Sequence, residues 1–186
     1  MSTPPLTARP DESLDLLSKR LRIIQRKKGH RASSDDILLA WAVLAYAPNA
    51  SHMLDLGTGK GTVPLLALSV MPKLRATGIE ALSMSAALAD RNIRLNGLTD
   101  RFSLIEGDVR DPGVLASDMR FDVVTGAPPF MKVGSGILPE DEQRAAGRFE
   151  LRGGVEDYHR AAARKLTLGG RSIVLMDGLN ADRNVH

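Results

Sequence analysis

Three glycines separated by single residues form the stretch of the chain whose residue types best suit ligand chemistry. Gly57, Gly59 and Gly61 follow the short apolar run 53–56 and precede an apolar helical pattern, which predicts a strand, a tight turn and a helix. Glycines permit positive φ angles and leave the turn free of side chains. A ligand can then lie against bare backbone near the N-terminus of a helix. We therefore predict a ligand site at this turn.

The spacing of the turn excludes two common nucleotide motifs. The nicotinamide fingerprint has its third glycine where this chain has Thr62, and the phosphate-binding loop needs Ser or Thr where Gly61 follows Lys60. Glu80 ends the next predicted strand about 20 residues later, where a carboxylate can accept hydrogen bonds from ribose hydroxyls. The turn and the acid together favour a ligand that contains a ribose. The alternative is an ordinary strand-helix turn with a solvent-facing Glu80.

The run Asp55-Leu56-Gly57-Thr58-Gly59-Lys60-Gly61 resembles the first motif of the S-adenosylmethionine-dependent (SAM-dependent) methyltransferases of the Rossmann-like class. The resemblance implies SAM as the cofactor. It also implies cofactor-binding roles for residues in four loops, namely Asp35, Asp55, Gly57, Thr58, Gly59, Gly61, Glu80, Ala81, Asp108 and Val109.

A second motif, Ala127-Pro128-Pro129-Phe130, resembles the fourth motif of amino-directed methyltransferases, Asn/Asp-Pro-Pro-Tyr/Phe. An exocyclic amine on an aromatic ring has a delocalised lone pair, so its attack on a methyl group needs acceptors that draw its hydrogens. The resemblance implies that the Pro128 carbonyl is one acceptor and that Phe130 stacks on the base. Ala127 lacks the family's side-chain acceptor, which costs about one to two decades in rate. The alternative is a rigid turn without chemistry.

Two further segments resemble the bacterial tRNA adenine-N6 methyltransferase family, which modifies the adenine beside a valine tRNA anticodon. The resemblance spans residues 21–176, with His30 replacing an aromatic residue and Gly147 an alanine. It implies methyl transfer to adenine N6 in tRNA. Methylation of a protein glutamine and a non-catalytic SAM-binding, RNA-interacting domain stay open as alternatives. The segments are Gln25-x-x-x-Gly29-His30-Arg31-x-Ser33-x-Asp35-x-x-Leu38-Leu39-Ala40 and Arg144-x-x-x-Arg148-x-Glu150.

Alternating strands and helices must position these residues. The pattern predicts a doubly wound, mainly parallel α/β sheet with its ligand site at the carboxyl ends of the strands. The family normally continues through two more strands, so we expect the fifth strand, Arg171–Met176, to be an exposed edge that pairs in a homodimer or is covered by the tail. The predicted strands are 53–56, 76–80, 102–105, 121–125 and 171–176, and helices are predicted at 35–47, 62–70, 83–96 and 157–166.

One methyltransferase domain is predicted over residues 11–186, after a disordered lead-in at 1–10. It comprises a helical, basic N-terminal region (11–50), the SAM-binding core (51–176) and a tail (177–186). Apolar residues at helical spacing predict a first helix over Asp11–Ile24 and a core position for Trp41. The loop Gly134–Gly154 is predicted to be a substrate loop or lid, with a disordered insertion as the alternative.

Charge and composition limit the kinds of partner that the chain is expected to bind. Seven cations crowd Lys19–Arg31, which predicts a phosphate-contacting surface, with a solvated helix face and loop as the alternative. The family resemblance implies that these phosphates belong to tRNA. The chain has no cysteine and its four histidines lack ligand spacing, so no metal site is predicted. Without a signal peptide or membrane-spanning run, we expect a cytoplasmic protein.

Overall fold

A parallel sheet forms the centre of the computed structural model, which describes residues 6–178 and 182–183. The predicted lead-in and tail therefore lie partly outside the described residues. The elements in chain order are β1 (Glu12–Leu16), β2 (Arg22–Arg26), α1 (Ser34–Tyr46), β3 (His52–Leu56), α2 (Thr62–Val70), β4 (Arg75–Glu80), α3 (Ser83–Leu95), β5 (Phe102–Glu106), β6 (Phe121–Gly126), α4 (Glu142–Ala146), α5 (Val155–Lys165) and β7 (Leu166–Val174).

The five parallel strands follow the order β5-β4-β3-β6-β7. The chain moves outward from β3 to β5 and then returns to the other side of β3, so the strand order reverses between β3 and β6. Ligands of doubly wound sheets bind at this switch point, outside the carboxyl ends of the strands. The predicted fold class is confirmed. β7 is the last strand of the order, as predicted, while the pairing of its edge with another chain stays a prediction.

Two apolar cores lie on the two faces of the sheet. Alternate residues of β3 supply both, because Met53 packs against α1 and α2, whereas Leu54 and Leu56 pack toward α5. Parallel strands covered on both faces carry nearly continuous apolar runs, and β3 follows that rule. This packing fixes the ends of β3, β4 and β6 at one edge.

The helix predicted over Asp11–Ile24 is wrong, because these residues belong to an antiparallel hairpin of β1 and β2. Leu14, counted on the apolar face of that helix, is 41% exposed, whereas Glu12 is buried and pairs with Arg91 of α3 at 2.6 Å. Contacts with α3, distant in sequence, therefore decide the local structure. The described part of the lead-in joins them, since the Thr7 carbonyl accepts a hydrogen bond from Arg91 at 2.8 Å.

Two asparagines one helical turn apart bind β2 to α3. The Asn92 side chain accepts from the Ile24 N–H at 2.7 Å and donates to the Ile24 carbonyl at 3.1 Å. Asn96 repeats this pairing with Arg22 at 3.0 and 2.8 Å, but near solvent. Asn92 is fully buried and also donates to the Lys60 carbonyl at 3.0 Å, so it links the hairpin to the glycine turn.

Replacement of Asn92 by alanine is expected to lower the free energy of unfolding by about 2–4 kcal/mol, because it leaves the buried N–H and carbonyl groups of Ile24 without hydrogen-bond partners. Asn96→Ala removes the same pairing where water can replace it, so we expect a loss below about 1 kcal/mol. Urea unfolding of both variants measures the difference. Equal losses would show that burial does not decide the strength of this link.

One smaller prediction also needs correction. Trp41 is 59% exposed rather than core, and its ring packs edge-on against Tyr46 with centroids 6.3 Å apart. Helix α1 buries Leu39 and Val43, and a residue two positions from each faces away from them.

No helix in the described part of the chain combines the length and hydropathy that a bilayer span requires.

Candidate functional site

The glycine turn has the conformation that its sequence predicts. Gly57, Gly59 and Gly61 have φ angles of 63°, 58° and 85°, in the left-handed region that disfavours residues with a β-carbon. Gly61 is the N-cap of α2, so the turn delivers the chain directly into a helix N-terminus. The Thr58 N–H donates to the Ile79 carbonyl at 2.9 Å, which fastens the turn to β4.

Glu80 ends β4 and holds the turn from the other side. One carboxylate oxygen accepts from the Gly59 N–H at 2.7 Å and the other from the Leu82 N–H at 2.8 Å. Burial raises the pKa of Glu80, and these two backbone donors partly offset that effect. The carboxylate is thereby fixed in orientation at the edge where the predicted ribose would lie.

One cavity lies over this edge, bordered by the ends of β3, β4, β5 and β6 and by the first turn of α1. Residues of the glycine turn contribute to its lining, together with charged side chains of both signs and with apolar and neutral polar residues. It is lined by His30, Asp36, Gly57, Thr58, Gly59, Lys60, Thr62, Glu80, Ala81, Leu82, Ser85, Asp108, Val109, Ala127, Pro129, Gln143, Ala146, Gly147, Leu151, Arg152, Gly153 and Tyr158.

The Gly134–Gly154 segment supplies one wall of the cavity and contains the short helix α4. Gln143 of this helix is buried, accepts from the His30 N–H at 3.0 Å and donates to Ser85 Oγ at 2.9 Å. Asp141 caps the helix and pairs with Arg26 at 2.7 Å. The predicted substrate loop is therefore docked against the hairpin and α3, while its movement as a lid stays a prediction.

Most of the residues predicted for the site meet at the cavity, and five do not line it. Asp35 is exposed beside the cavity-lining Asp36, and Asp55 is buried below the floor. Gly61 faces Phe102 of β5, and Pro128 is buried within its turn. Phe130 is 40% exposed and does not line the cavity. The predicted residues that line the cavity are Gly57, Thr58, Gly59, Glu80, Ala81, Asp108, Val109, Ala127 and Pro129.

Eight polar residues that line the cavity were not predicted as site residues, namely His30, Asp36, Lys60, Thr62, Ser85, Gln143, Arg152 and Tyr158. Asp36 carried a signal, because Ser33-x-x-Asp36 is a capping-box pattern that directs this acid back toward the helix N-terminus. Lys60 and Thr62 belong to the glycine turn itself, although they served in the sequence only to reject other motifs. Tyr158 reaches the site from α5, a contact distant in sequence for which no local signal exists.

Asp55 ties two strands together beneath the turn. Its carboxyl group accepts from Thr125 Oγ1 of β6 at 2.6 Å, and the residue is 3% exposed. Burial raises the pKa of Asp55 to about 7, against the opposing effect of the Thr125 hydrogen bond.

The raised pKa of Asp55 predicts a pH dependence of stability. The unfolded chain loses this proton near pH 4 and the folded chain near pH 7, so the stabilisation is lost as pH rises toward and through 7. We expect the free energy of unfolding of wild type, relative to Asp55→Asn, to fall between pH 5 and 7 with a limiting slope of about 1.4 kcal/mol per pH unit. Urea unfolding at several pH values measures it, and parallel profiles would contradict the assignment.

The similarity to known proteins includes the part of the chain that forms the cavity. Residues 36–138 match the family model described as the methyltransferase small domain. The chain is 35% identical over 136 residues to the tRNA1(Val) (adenine(37)-N6)-methyltransferase of Porphyromonas gingivalis, covering 71% of this chain and 52% of that protein. It is 29% identical over 143 residues to the release factor glutamine methyltransferase of Geobacter sulfurreducens, covering 73% and 49%. The chain thus spans about half the length of these curated relatives.

A solved structure gives the same fold. The SAM-dependent methyltransferase of Geobacter sulfurreducens, in complex with S-adenosyl-L-homocysteine, superposes with a TM-score of 0.52 at 23% sequence identity. The match covers 77% of this chain and 47% of that one. At this identity the likeness concerns the fold, and it agrees with the doubly wound, Rossmann-like sheet.

Proposed function

Because the chain belongs to the methyltransferase small domain family, we propose that it transfers a methyl group from SAM to the N6 amine of an adenine in tRNA. S-adenosylmethionine is the cofactor of this family. The observation that carries the proposal is the joining of two motifs at one cavity, whose lining contains both the glycine turn with Glu80 and Ala127 with Pro129.

The cavity suits SAM in shape and in chemistry. A β-carbon added at Gly59 would meet no atom within 4 Å, so a side chain at this position would project into space that the glycine leaves free. Glu80 presents a fixed carboxylate of the kind that accepts ribose hydroxyls. Ala81 and Val109, after the ends of β4 and β5, offer apolar surface for a base. When bound, SAM supplies an electrophilic methyl group on a positively charged sulfur.

The turn after β6 binds the substrate and activates its amine. The Pro128 carbonyl accepts a hydrogen from the substrate amine, which localises the lone pair on nitrogen. Phe130, which is exposed and directly follows the cavity-lining Pro129, provides the ring on which an adenine stacks. Ala127 lines the cavity where the family carries an Asn or Asp, so the backbone acceptor acts there without that side chain.

The hairpin supports RNA as the substrate. Arg26 and Arg31 are committed to Asp141 and Asp15 at 2.7 and 2.9 Å, so they are not the phosphate contacts. The other cations of the segment are exposed and lie at the β1-β2 turn, on β2 and just before His30, which lines the cavity. Phosphates held there would lead a strand toward the rim. These cations are Lys19, Arg20, Arg22, Lys27 and Lys28.

Incubation with methyl-labelled SAM and unmodified tRNA tests the proposal. We expect label in N6-methyladenosine after digestion of the tRNA, and a loss of about a hundredfold or more in Phe130→Ala, where stacking and orientation are removed. Ile137→Ala is the matched control, because it removes an apolar side chain that is 95% exposed in the neighbouring loop. SAM binding without label in any tRNA would overturn the tRNA assignment.

Methylation of a protein glutamine is the second candidate. The similarity to a release factor glutamine methyltransferase favours it, and an amide nitrogen also has a delocalised lone pair that the same turn can localise. A glutamine-bearing protein in the same labelling experiment distinguishes the two, since label then appears in protein. SAM binding with no methyl acceptor would instead favour a SAM-binding domain without catalysis, which the absence of an acceptor at Ala127 allows.

A further inference from the structure

Lys60 is a buried cation in the wall of the cavity. It is 4% exposed, and its carbonyl accepts from Asn92 Nδ2 at 3.0 Å, which fixes the backbone at this point. Among the described residues its ammonium group makes neither a hydrogen bond nor an ion pair. A buried ammonium group is costly unless a partner neutralises it. The wall of the cavity therefore offers an unmatched positive charge.

The surroundings of Lys60 favour a carboxylate as that partner. Thr62 is 2% exposed, lines the cavity and has a hydroxyl oxygen without a hydrogen-bond partner in the described structure. It is the first residue of α2, whose first turn contains no acid to offset the positive end of the helix dipole. Three positive or donating groups, the Lys60 ammonium, the Thr62 hydroxyl and the N-terminus of α2, therefore lie within three residues of the chain, and both side chains line the cavity.

Asp36 supplies the opposite charge in the same cavity lining, near enough to act on Lys60. Its Oδ2 accepts from the Ser33 N–H at 2.9 Å, and the residue lines the cavity. Burial lowers the pKa of Lys60, and the negative charge of Asp36 partly reverses this. The two groups are not in direct contact, so each can hold a different charge of one ligand.

We propose, on the premise of the proposed function, that Lys60 and Asp36 form a clamp for the amino-acid end of SAM. Lys60, with Thr62, holds the α-carboxylate, and Asp36 holds the α-ammonium group. The amino-acid end of SAM is a zwitterion, so it carries one charge of each sign. When it is bound, neither Lys60 nor Asp36 is left without an opposite charge. The clamp makes Lys60 a positioning residue, since fixing this end of the cofactor orients the sulfonium toward the Pro128-Pro129 turn.

Calorimetry with three ligands tests the clamp. The probes are SAM, decarboxylated SAM, which lacks the carboxylate, and 5′-methylthioadenosine, which lacks the whole amino-acid end. We expect Lys60→Met to weaken SAM binding by about tenfold to a hundredfold and to change the affinity for the other two ligands less than about twofold. Asp36→Asn should weaken SAM and decarboxylated SAM but not 5′-methylthioadenosine. Lys73→Met, an exposed lysine after α2, is the control.

Wild type alone gives a second test that needs no folded variant. The clamp predicts that it binds SAM at least about tenfold more tightly than 5′-methylthioadenosine. Equal affinities, or a Lys60→Met protein that weakens all three ligands alike, would overturn the clamp and leave the SAM site standing. A wild-type protein that binds none of the three would overturn the proposed function and the clamp together.

Discussion

A Gly57→Ala protein should bind SAM at least about a hundredfold more weakly than wild type and unfold more easily by about 2–5 kcal/mol. Gly57 has φ +63°, where alanine is strained by about 1–2 kcal/mol. Its new β-carbon would also lie 2.3 Å from the Tyr158 hydroxyl, a contact that forces the turn or α5 to move. Either movement displaces backbone that the cofactor is proposed to contact. Urea unfolding and calorimetry measure the two effects.

Gly59→Ala is the matched control. Gly59 has nearly the same φ, 58°, but a β-carbon there meets no atom within 4 Å, so the variant carries the strain without the collision. Tyr158→Phe removes the colliding oxygen, so the double variant Gly57→Ala/Tyr158→Phe should recover about 1 kcal/mol or more of the lost stability. If Gly57→Ala and Gly59→Ala lose equal stability, the collision does not contribute.

The glycine turn shows why part of the site could be predicted from the sequence. Its conformation follows from residue types within a few positions, and Gly57, Gly59 and Gly61 all adopt the predicted positive φ. The end of β4 at Glu80 follows from an apolar run and the acid that closes it. Since parallel strands present their carboxyl ends at one edge, these local features were enough to bring Glu80 and Asp108 to one cavity.

Other parts depend on contacts that no short segment contains. The β1-β2 hairpin is held by Asn92 and Asn96 of α3, about 70 positions later in the chain, so leucines at helical spacing gave the wrong structure. Helix α1 is apolar on more than one side, and its sequence does not show which side α2 covers. The prediction that Trp41 is a core residue was wrong for this reason. Tyr158 and Gln143 enter the cavity from elements whose docking is set by the whole fold.

Glu80 has two roles, and its variants should separate them. In the protein alone its carboxylate orders the turn through the N–H groups of Gly59 and Leu82 at 2.7 and 2.8 Å. With cofactor bound, we propose that the remaining acceptor positions of the same two oxygens take the ribose hydroxyls. A carboxylate has about four acceptor positions, so both sets of bonds can coexist.

We expect Glu80→Ala to weaken SAM binding by about a hundredfold or more, since hydrogen bonds to a charged group contribute about 1.5–3 kcal/mol each. Glu80→Gln keeps one acceptor oxygen and loses the charge, so its affinity should lie between those of Glu80→Ala and wild type. Unlike Lys60→Met, both variants should weaken 5′-methylthioadenosine as strongly as SAM, because the two ligands share the ribose. Calorimetry with both ligands gives the comparison.

Glu106→Gln is the control for charge at this edge of the sheet. Glu106 pairs in register with Glu80 on the adjacent strand β5, but it is exposed, does not line the cavity and accepts from Ser83. A carboxylate that acts through its general field would weaken binding at either position, whereas one that accepts ribose hydroxyls does so only from Glu80. Unchanged SAM affinity in Glu80→Ala would remove the ribose assignment, and the glycine turn would then hold the cofactor by its backbone and by the Lys60 clamp.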